Sequence, residues 1–197
     1  MNILIATNNK HKVREISQIF AGTDLKTVSP AQINLSVEVE EDGNTFAENA
    51  LKKARGFCEA SGLICVADDS GLTVECLSGE PGVYSARYGG EGLDDKGRTQ
   101  LLLKNMSGAK NRRAAFVSSV AMVFPDGRVV TAEGRCEGRI ALAPSGNNGF
   151  GYDPVFVPDG YDKTFSELSE EEKNRISHRG RALEALEKKL LELGILK

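Results

Sequence analysis

Two short apolar segments alternate with helical patterns near the start of the chain, and this alternation restricts the fold more than any other feature. Residues 3–6 (ILIA) and 63–67 (LICVA) have the length and apolar character of buried strands. Apolar residues recur at helical spacing over residues 13–20, and Thr45 with Glu48 forms a capping box that begins a second helix. A strand, helix, strand order of this kind predicts an α/β fold.

The middle of the sequence predicts a second lobe built on an extension of the same sheet. Residues 114–124 and 129–140 have the pattern of two long strands joined by a Pro-Asp-Gly turn. A helix is predicted over residues 93–106, and leucines at helical spacing predict a last helix near the end of the chain. Because no repeat, linker or low-complexity tract divides residues 1–197, we predict one domain with two lobes.

Composition excludes several classes of function. The chain is 40% hydrophobic and 27% charged, which argues against disorder, and its formal net charge of -3 provides no broad basic field. We therefore expect neither nucleic acid nor a membrane as a partner, and no apolar run approaches the roughly 20 residues of a membrane span. The N-terminal residues lack the basic start of a signal peptide. Four widely spaced cysteines predict reduced thiols in a cytoplasmic protein rather than a zinc site.

The turn after the first predicted strand is a candidate anion site. Free N–H groups at a helix start and nearby lysine side chains attract phosphate. The turn lacks the G-x-x-x-x-G-K-[ST] pattern of a P-loop, and the alternative is an ordinary solvated helix cap. The candidate residues are Thr7, Asn8, Asn9, Lys10, His11 and Lys12.

Acidic residues at two places predict a divalent metal site. Asp68 and Asp69 follow the second apolar segment at a predicted strand end, and two such carboxylates are costly to hold together without a cation or donors. A second acidic stretch, residues 38–42, precedes a predicted helix. Mg²⁺ prefers oxygen ligands and commonly takes only one or two carboxylates. The alternatives are a solvated loop at residues 38–42 and a capped turn at residues 68–71.

Residues 149–154 (GFGYDP) form a candidate site for a flat base. Glycines permit close backbone approach, Phe150 or Tyr152 could stack on the base, and Asp153 could accept hydrogen bonds from its edge. The alternative is a turn whose aromatic side chains face the core.

Residues 173–179 (KNRISHR) supply cations near the start of the last predicted helix. Lys173 and Arg179 could meet phosphates or purine carbonyl oxygens, and a solvated helix junction is the alternative. The four segments are distant in sequence but chemically coherent, since each supplies one part of a nucleoside triphosphate site. The interpretation requires Asp69, Lys10 and Arg179 to converge on one divalent ion.

Six segments occur in the order found in one enzyme family. They are ATNNKHK (6–12), EDGNTFAENA (41–50), ADDSGL (67–72), PGVYSARY (81–88), GFGYDP (149–154) and SHRG (177–180). On these motifs the chain resembles the inosine triphosphate pyrophosphatase family, whose bacterial form is a dITP/XTP pyrophosphatase. The resemblance runs from Ile3 to about Leu183.

The resemblance implies a fold, an activity and a set of site residues. The implied fold is an elongated mixed β-sheet flanked by helices, with two lobes and a cleft between them, in a homodimer. The implied activity is Mg²⁺-dependent hydrolysis of ITP, dITP and XTP to the nucleoside monophosphate and pyrophosphate. Asp69 resembles the general base and metal ligand, and Glu41 the second ligand. The implied substrate contacts are residues 7–12 for phosphate, Ser70, and Phe150, Gly151, Tyr152, Asp153, Lys173, His178 and Arg179 for base and sugar.

The glycine-rich segment departs from the family pattern at one residue. The family often has Gly-Gly before the phenylalanine, whereas this chain has Asn148-Gly149, and Asn tolerates a left-handed backbone better than most residues.

Donors such as His178, Arg179 or backbone N–H groups would suit the 6-carbonyl of hypoxanthine and xanthine. Adenine would leave those donors unpaired, at a cost on the order of 1–3 kcal/mol per group.

Two other functions remain as alternatives. One is a pyrophosphatase for modified pyrimidine triphosphates, and the other is a non-catalytic nucleotide- or RNA-binding module. Adjacent carboxylates argue against the binding module, because they repel phosphate unless a cation intervenes.

Overall fold

The computed structural model describes residues 1–21, 23–90 and 92–196. The strands are β1 (Asn2–Ile5), β2 (Lys26–Val28), β3 (Ile64–Val74), β4 (Arg113–Val123), β5 (Val129–Ile140) and β6 (Phe156–Pro158). The α-helices are α1 (Lys10–Ile19), α2 (Phe46–Ser61), α3 (Asp95–Asn105), α4 (Glu170–Ile176) and α5 (His178–Glu192). No helix of the described residues is long and apolar enough to cross a membrane.

The strands form one mixed sheet in the order β2-β1-β3-β4-β5-β6. β1 is parallel to both β2 and β3, whereas β5 and β6 are antiparallel. The helices flank this sheet, so the predicted α/β fold with a mixed sheet is confirmed. The long hairpin was also predicted correctly, since Phe124 N donates to Arg128 O and closes the turn between β4 and β5 at 3.0 Å.

Two local predictions were wrong. Asp68 and Asp69 were expected at a strand end, but β3 continues through both residues to Val74. Both carboxylates have polar or charged partners, so these residues can remain within a strand that continues to Val74. The single predicted last helix is two helices, because Ser177 has an extended backbone (ψ 158°) between α4 and α5. β2 was not predicted, and its three residues are too few to show a period.

The chain divides into two compact units. Unit 1 comprises the N-terminal segment up to Asp69, Ser118–Gly134 and the C-terminal segment from Arg179. Unit 2 comprises Ser70–Val117 and Arg135–His178. The backbone passes from one unit to the other within β3, β4 and β5 and after the first residue of α5.

Unit 1 is a sheet covered on both faces. Val66 of β3 belongs to a core cluster with apolar residues of α1 and α5, whereas Cys65 and Ala67 belong to a cluster with residues of α2. Successive side chains of a strand point to opposite faces. Asp68 therefore faces α1 and α5, and Asp69 faces α2.

Unit 2 has an aromatic core. Phe116 of β4 lies against Phe156 of β6, with ring centroids 4.8 Å apart, and against Phe165, with centroids 5.8 Å apart. Tyr152, Leu102 and other buried apolar residues complete this cluster. Tyr152, one of the candidate site residues, belongs to this core.

Candidate active site

Asp68 lies at the centre of a buried ionic cluster on one face of β3. Lys12 Nζ of α1 lies 3.3 Å from Asp68 Oδ1, and Nε and Nη2 of Arg179 each donate to Asp68 Oδ2 at 3.0 Å. Arg179 Nη1 also pairs with Glu15. We refer to Lys12, Glu15, Asp68 and Arg179 as the Asp68 cluster.

The charges of the Asp68 cluster stabilise one another. Burial by itself would raise the pKa of Asp68, but Arg179 and Lys12 outweigh burial and hold that pKa well below its usual range. Burial lowers the pKa of Lys12, and the neighbouring carboxylates raise the pKa of Arg179 in spite of its burial. Asp68 is thus held as a carboxylate by two cations and is a poor proton acceptor.

Asp69 has a different environment on the opposite face, where α2 supplies partners for its carboxylate, whereas Arg179 binds Asp68. The expected convergence of Asp69, Lys10 and Arg179 on one ion is therefore wrong for Arg179. Asn49 Nδ2 of α2 donates to Asp69 Oδ2 at 3.1 Å, and Lys53 Nζ lies 3.7 Å from Asp69 Oδ1. Burial raises the pKa of Asp69 and Glu41 adds to this rise, whereas Lys53 and Asn49 oppose it. A carboxylate whose pKa is raised is the better general base of the pair.

Glu41 joins this site through Lys53. Lys53 Nζ lies 3.0 Å from Glu41 Oε2, so one ammonium group contacts both Glu41 and Asp69. Asn49 Oδ1 accepts from Gly43 N at 2.8 Å and ties the acidic loop to the same helix. We refer to Glu41, Asn49, Lys53 and Asp69 as the Asp69 cluster.

The Asp69 cluster offers a divalent ion two carboxylates. Within the described parts of the chain no three acidic, histidine or cysteine side chains form a metal cage. Mg²⁺ does not require a cage, since it usually keeps several waters and binds one or two carboxylates. The Lys53 ammonium contacts both Glu41 and Asp69, so these two carboxylates are oriented toward a common positive charge.

The predicted phosphate loop is largely exposed and begins α1. Asn9 caps the helix: its Oδ1 accepts from the N–H groups of His11 at 2.9 Å and of Lys12 at 3.3 Å. Thr7 is buried and accepts from Asn9 N at 3.2 Å, whereas Asn8 and Lys10 are exposed. The loop therefore satisfies two of its own helix-start donors, and of its lysines only Lys12 belongs to the Asp68 cluster.

Lys173 and Asp153 form a buried ion pair in unit 2. Lys173 Nζ donates to Asp153 Oδ2 at 2.7 Å, and the same oxygen accepts from Phe150 N at 2.9 Å. The ammonium lies 5.0 Å from the centroid of the half-buried Phe150 ring and 5.7 Å from that of Phe165. The pair thus holds both the cation and the Phe150 backbone in place.

Three further residues were predicted to contact the substrate: Ser70, Gly151 and Tyr152. Tyr152 is an anchor, because its buried ring belongs to the unit 2 core and its hydroxyl donates to Ser85 O at 2.9 Å. Gly151 N donates to Asp95 Oδ2 at 2.8 Å. Ser70 is half-buried in β3, directly after Asp69. For Tyr152 the structure agrees with the core-facing alternative, which leaves Phe150 as the candidate stacking ring.

The chain is similar to known proteins over nearly its whole length. The Ham1 family model matches residues 3–189. The chain belongs to the Ham1 family. It is 47% identical to the dITP/XTP pyrophosphatase of Desulforamulus reducens, covering 98% of this chain and 95% of that protein. The dITP/XTP pyrophosphatase of Deinococcus deserti is 49% identical, with 94% and 87% covered. The Staphylococcus aureus Ham1 protein structure has a TM-score of 0.86 at 40% identity, covering 98% of this chain and 100% of that chain. The predicted resemblance is confirmed.

Two residues of this candidate site were not predicted from the sequence. Asn49 and Lys53 are one helical turn apart on the face of α2 that also carries the buried Ala50 and Ala54. Polar side chains on the buried face of an amphipathic helix require partners, so this pattern could have indicated them.

The Asn148-Gly149 sequence of this Ham1-family chain builds its turn on the glycine. Gly149 has a left-handed backbone (φ 76°), whereas Asn148 Nδ2 donates to Leu168 O at 3.1 Å. A Cβ at residue 149 would overlap the Asp153 carboxylate. The departure from the family pattern therefore preserves the turn.

We expect Gly149→Ala to destabilise the protein more than Gly160→Ala. Gly160 is also left-handed (φ 83°), but a Cβ there meets nothing within 4 Å, so alanine costs only about 1–2 kcal/mol of backbone strain. Overlap with Asp153 should add about 1–3 kcal/mol at Gly149. Urea unfolding of both variants measures the difference, and equal losses would contradict a tight contact with Asp153.

Proposed function

We propose that this Ham1-family chain hydrolyses non-standard purine nucleoside triphosphates (ITP, dITP and XTP) to the nucleoside monophosphate and pyrophosphate. Such an enzyme removes non-standard nucleotides from the nucleotide pool. The names of the relatives support this substrate class. The structural observation that carries the proposal is Asp69, a carboxylate with a raised pKa that contacts Lys53 and Asn49.

Asp69 and Glu41 are the residues that we assign to a magnesium ion. Both carboxylates contact the same Lys53 ammonium, and one or two carboxylates are what Mg²⁺ usually takes from the protein in phosphoryl-transfer sites. When bound, Mg²⁺ would neutralise charge that develops on the triphosphate.

Asp69 is the proposed general base. It accepts the proton of the water whose oxygen forms a bond to the α-phosphorus, and the bond between the α-phosphorus and the bridging oxygen breaks, so that pyrophosphate leaves. Asn49 holds the Asp69 carboxylate in position, and Lys53 supplies positive charge for the phosphates. Lys10, which is exposed at the start of α1, is the loop residue best placed to meet a phosphate from solvent.

Groups of unit 2 are the proposed base-recognition elements. Phe150 stacks on the purine beside Lys173, and a donor from His178 meets the 6-carbonyl of hypoxanthine or xanthine. Each nitrogen of the Arg179 guanidinium already bonds Asp68 or Glu15. We therefore assign the Arg179 side chain to holding the Asp68 cluster rather than to direct contact with the base.

A panel of nucleotides tests the activity and the metal together. We expect pyrophosphate from ITP, dITP and XTP at a kcat/KM about tenfold or more above that for ATP, because adenine leaves a donor unpaired. EDTA should abolish the reaction and Mg²⁺ restore it. Preference for modified dUTP or dTTP would favour the pyrimidine alternative. Retention of nucleotide in EDTA without pyrophosphate release would favour a binding module.

The family resemblance also leads us to propose a cytoplasmic homodimer. Sedimentation equilibrium of the purified protein measures the oligomeric state, and a monomer at all concentrations would contradict this assignment.

A further inference from the structure

We propose that Phe116 is a positioning residue for base selection, because its ring fixes the plane of the His178 imidazole. The inference rests on the proposed function, in which His178 donates to the purine 6-carbonyl. Phe116 lies in β4 and His178 is the first residue of α5, and both belong to unit 2. Their ring centroids are 4.6 Å apart and their planes differ by only 10°.

The stack restricts the direction in which the imidazole can donate. Both N–H bonds of an imidazole lie in the plane of its ring, and the torsion that turns this plane is otherwise broad. Both side chains are buried, with Phe116 6% and His178 4% exposed. A parallel neighbour on one face therefore restricts rotation of His178 and aims its donors along one plane.

The Phe116 ring is itself held on more than one side. Phe156 meets it edge-on, with centroids 4.8 Å apart and planes at 65°, and Phe165 lies nearly parallel to it at 5.8 Å. Phe165 also lies 5.7 Å from Lys173 Nζ. A side chain locked in this way transmits its own orientation to His178, and a supporting shell of this kind is what a selective site requires.

Selectivity should depend on this orientation more than turnover does. Asp69, the proposed base, and its partners Asn49 and Lys53 belong to unit 1, whereas the stack belongs to unit 2. If the His178 ring tilted, its hydrogen bond to the 6-carbonyl would be lost. The free-energy penalty for binding adenine in place of hypoxanthine would then be smaller. Loss of the Phe116 ring should therefore lower the ratio of kcat/KM for ITP to that for ATP.

The first experiment compares Phe116→Leu with Phe20→Leu. Phe20 is also buried, but it lies in the core of unit 1, whereas His178 belongs to unit 2. We expect Phe116→Leu to reduce the ITP to ATP ratio about tenfold, the effect of one hydrogen bond, and Phe20→Leu to leave the ratio unchanged. An unchanged ratio in folded Phe116→Leu, or an equal loss in Phe20→Leu, would overturn the inference.

A double-mutant cycle shows whether Phe116 acts through His178. In a His178→Ala background, Phe116→Leu should have no further effect on the ratio, because the group that it positions is gone. An additive loss would show that Phe116 acts by another route and would contradict the proposal.

Proton NMR tests the stack in the wild-type protein, whether or not Phe116→Leu folds. The chain has only two histidines, His11 and His178, so their ring C–H resonances are simple to assign. We expect the ring C–H resonances of His178 to be displaced upfield by the Phe116 ring current and those of exposed His11 to be unshifted; the absence of this displacement would refute the stack.

If wild-type protein releases no pyrophosphate, the proposed function fails. If it does and Phe116→Leu keeps its selectivity, only the present inference fails.

Discussion

Asp69→Asn is expected to lower kcat for ITP by about 10²–10⁴-fold, the contribution of a positioned general base. The amide cannot accept a proton from water, and it is a weaker metal ligand than a carboxylate. The free energy of unfolding of Asp69→Asn should equal or exceed that of the wild-type protein. Because folding raises the pKa of Asp69, the ionised carboxylate is less stable in the folded chain than in the unfolded one at neutral pH. Asparagine removes that cost.

The matched control is Glu40→Gln. Glu40 is exposed beside Glu41, so it tests the loss of an acidic side chain near the site without touching the Asp69 cluster. Pyrophosphate release and the thermal unfolding midpoint should be measured on the same samples. Turnover at the wild-type rate in Asp69→Asn would remove Asp69 from the mechanism.

Asp68→Asn, unlike Asp69→Asn, is expected to lower the stability of the protein strongly. Removing the Asp68 carboxylate leaves the two buried cations Arg179 and Lys12 with Glu15 as the remaining counter-charge of the Asp68 cluster, and breaking a buried ion pair in this way costs about 3–5 kcal/mol. For a chain of this size the loss corresponds to a fall in Tm of roughly 6–20 °C. Calorimetry or circular dichroism measures the change.

The exposed pair of Arg128 and Asp126 provides the comparison for this variant. The same change at Asp126 removes a carboxylate that pairs with Arg128 at 2.8 Å in solvent, and surface pairs contribute little. We expect no measurable shift in Tm for Asp126→Asn. A shift as small as this in Asp68→Asn would show that the Asp68 cluster does not hold unit 1 together.

Local patterns predicted the elements that surround the site. The period of the apolar residues and the capping box at Thr45 and Glu48 predicted α2, and the box forms as expected. The order of the short motifs indicated the family, because each motif keeps chemically distinctive residues at fixed spacing. These signals are local in sequence, and local rules are sufficient to interpret them.

The different roles of Asp68 and Asp69 could not be predicted in this way. Both were expected at a strand end, where neighbouring side chains share one environment. Inside β3 they face opposite sides, so one meets Arg179 and the other meets Lys53. These partners come from helices that are distant in sequence. Only the tertiary packing decides which carboxylate is neutralised by cations and which keeps a raised pKa.

Hydrolysis of ITP in ¹⁸O-labelled water tests the central claim most directly. The proposal that Asp69 activates a water for attack at the α-phosphorus predicts label in the nucleoside monophosphate and none in pyrophosphate, with Asp69→Asn forming both products at the strongly reduced rate expected for that variant. Mass spectrometry distinguishes the two products. Label in pyrophosphate, or formation of a nucleoside diphosphate with labelled phosphate, would contradict the account.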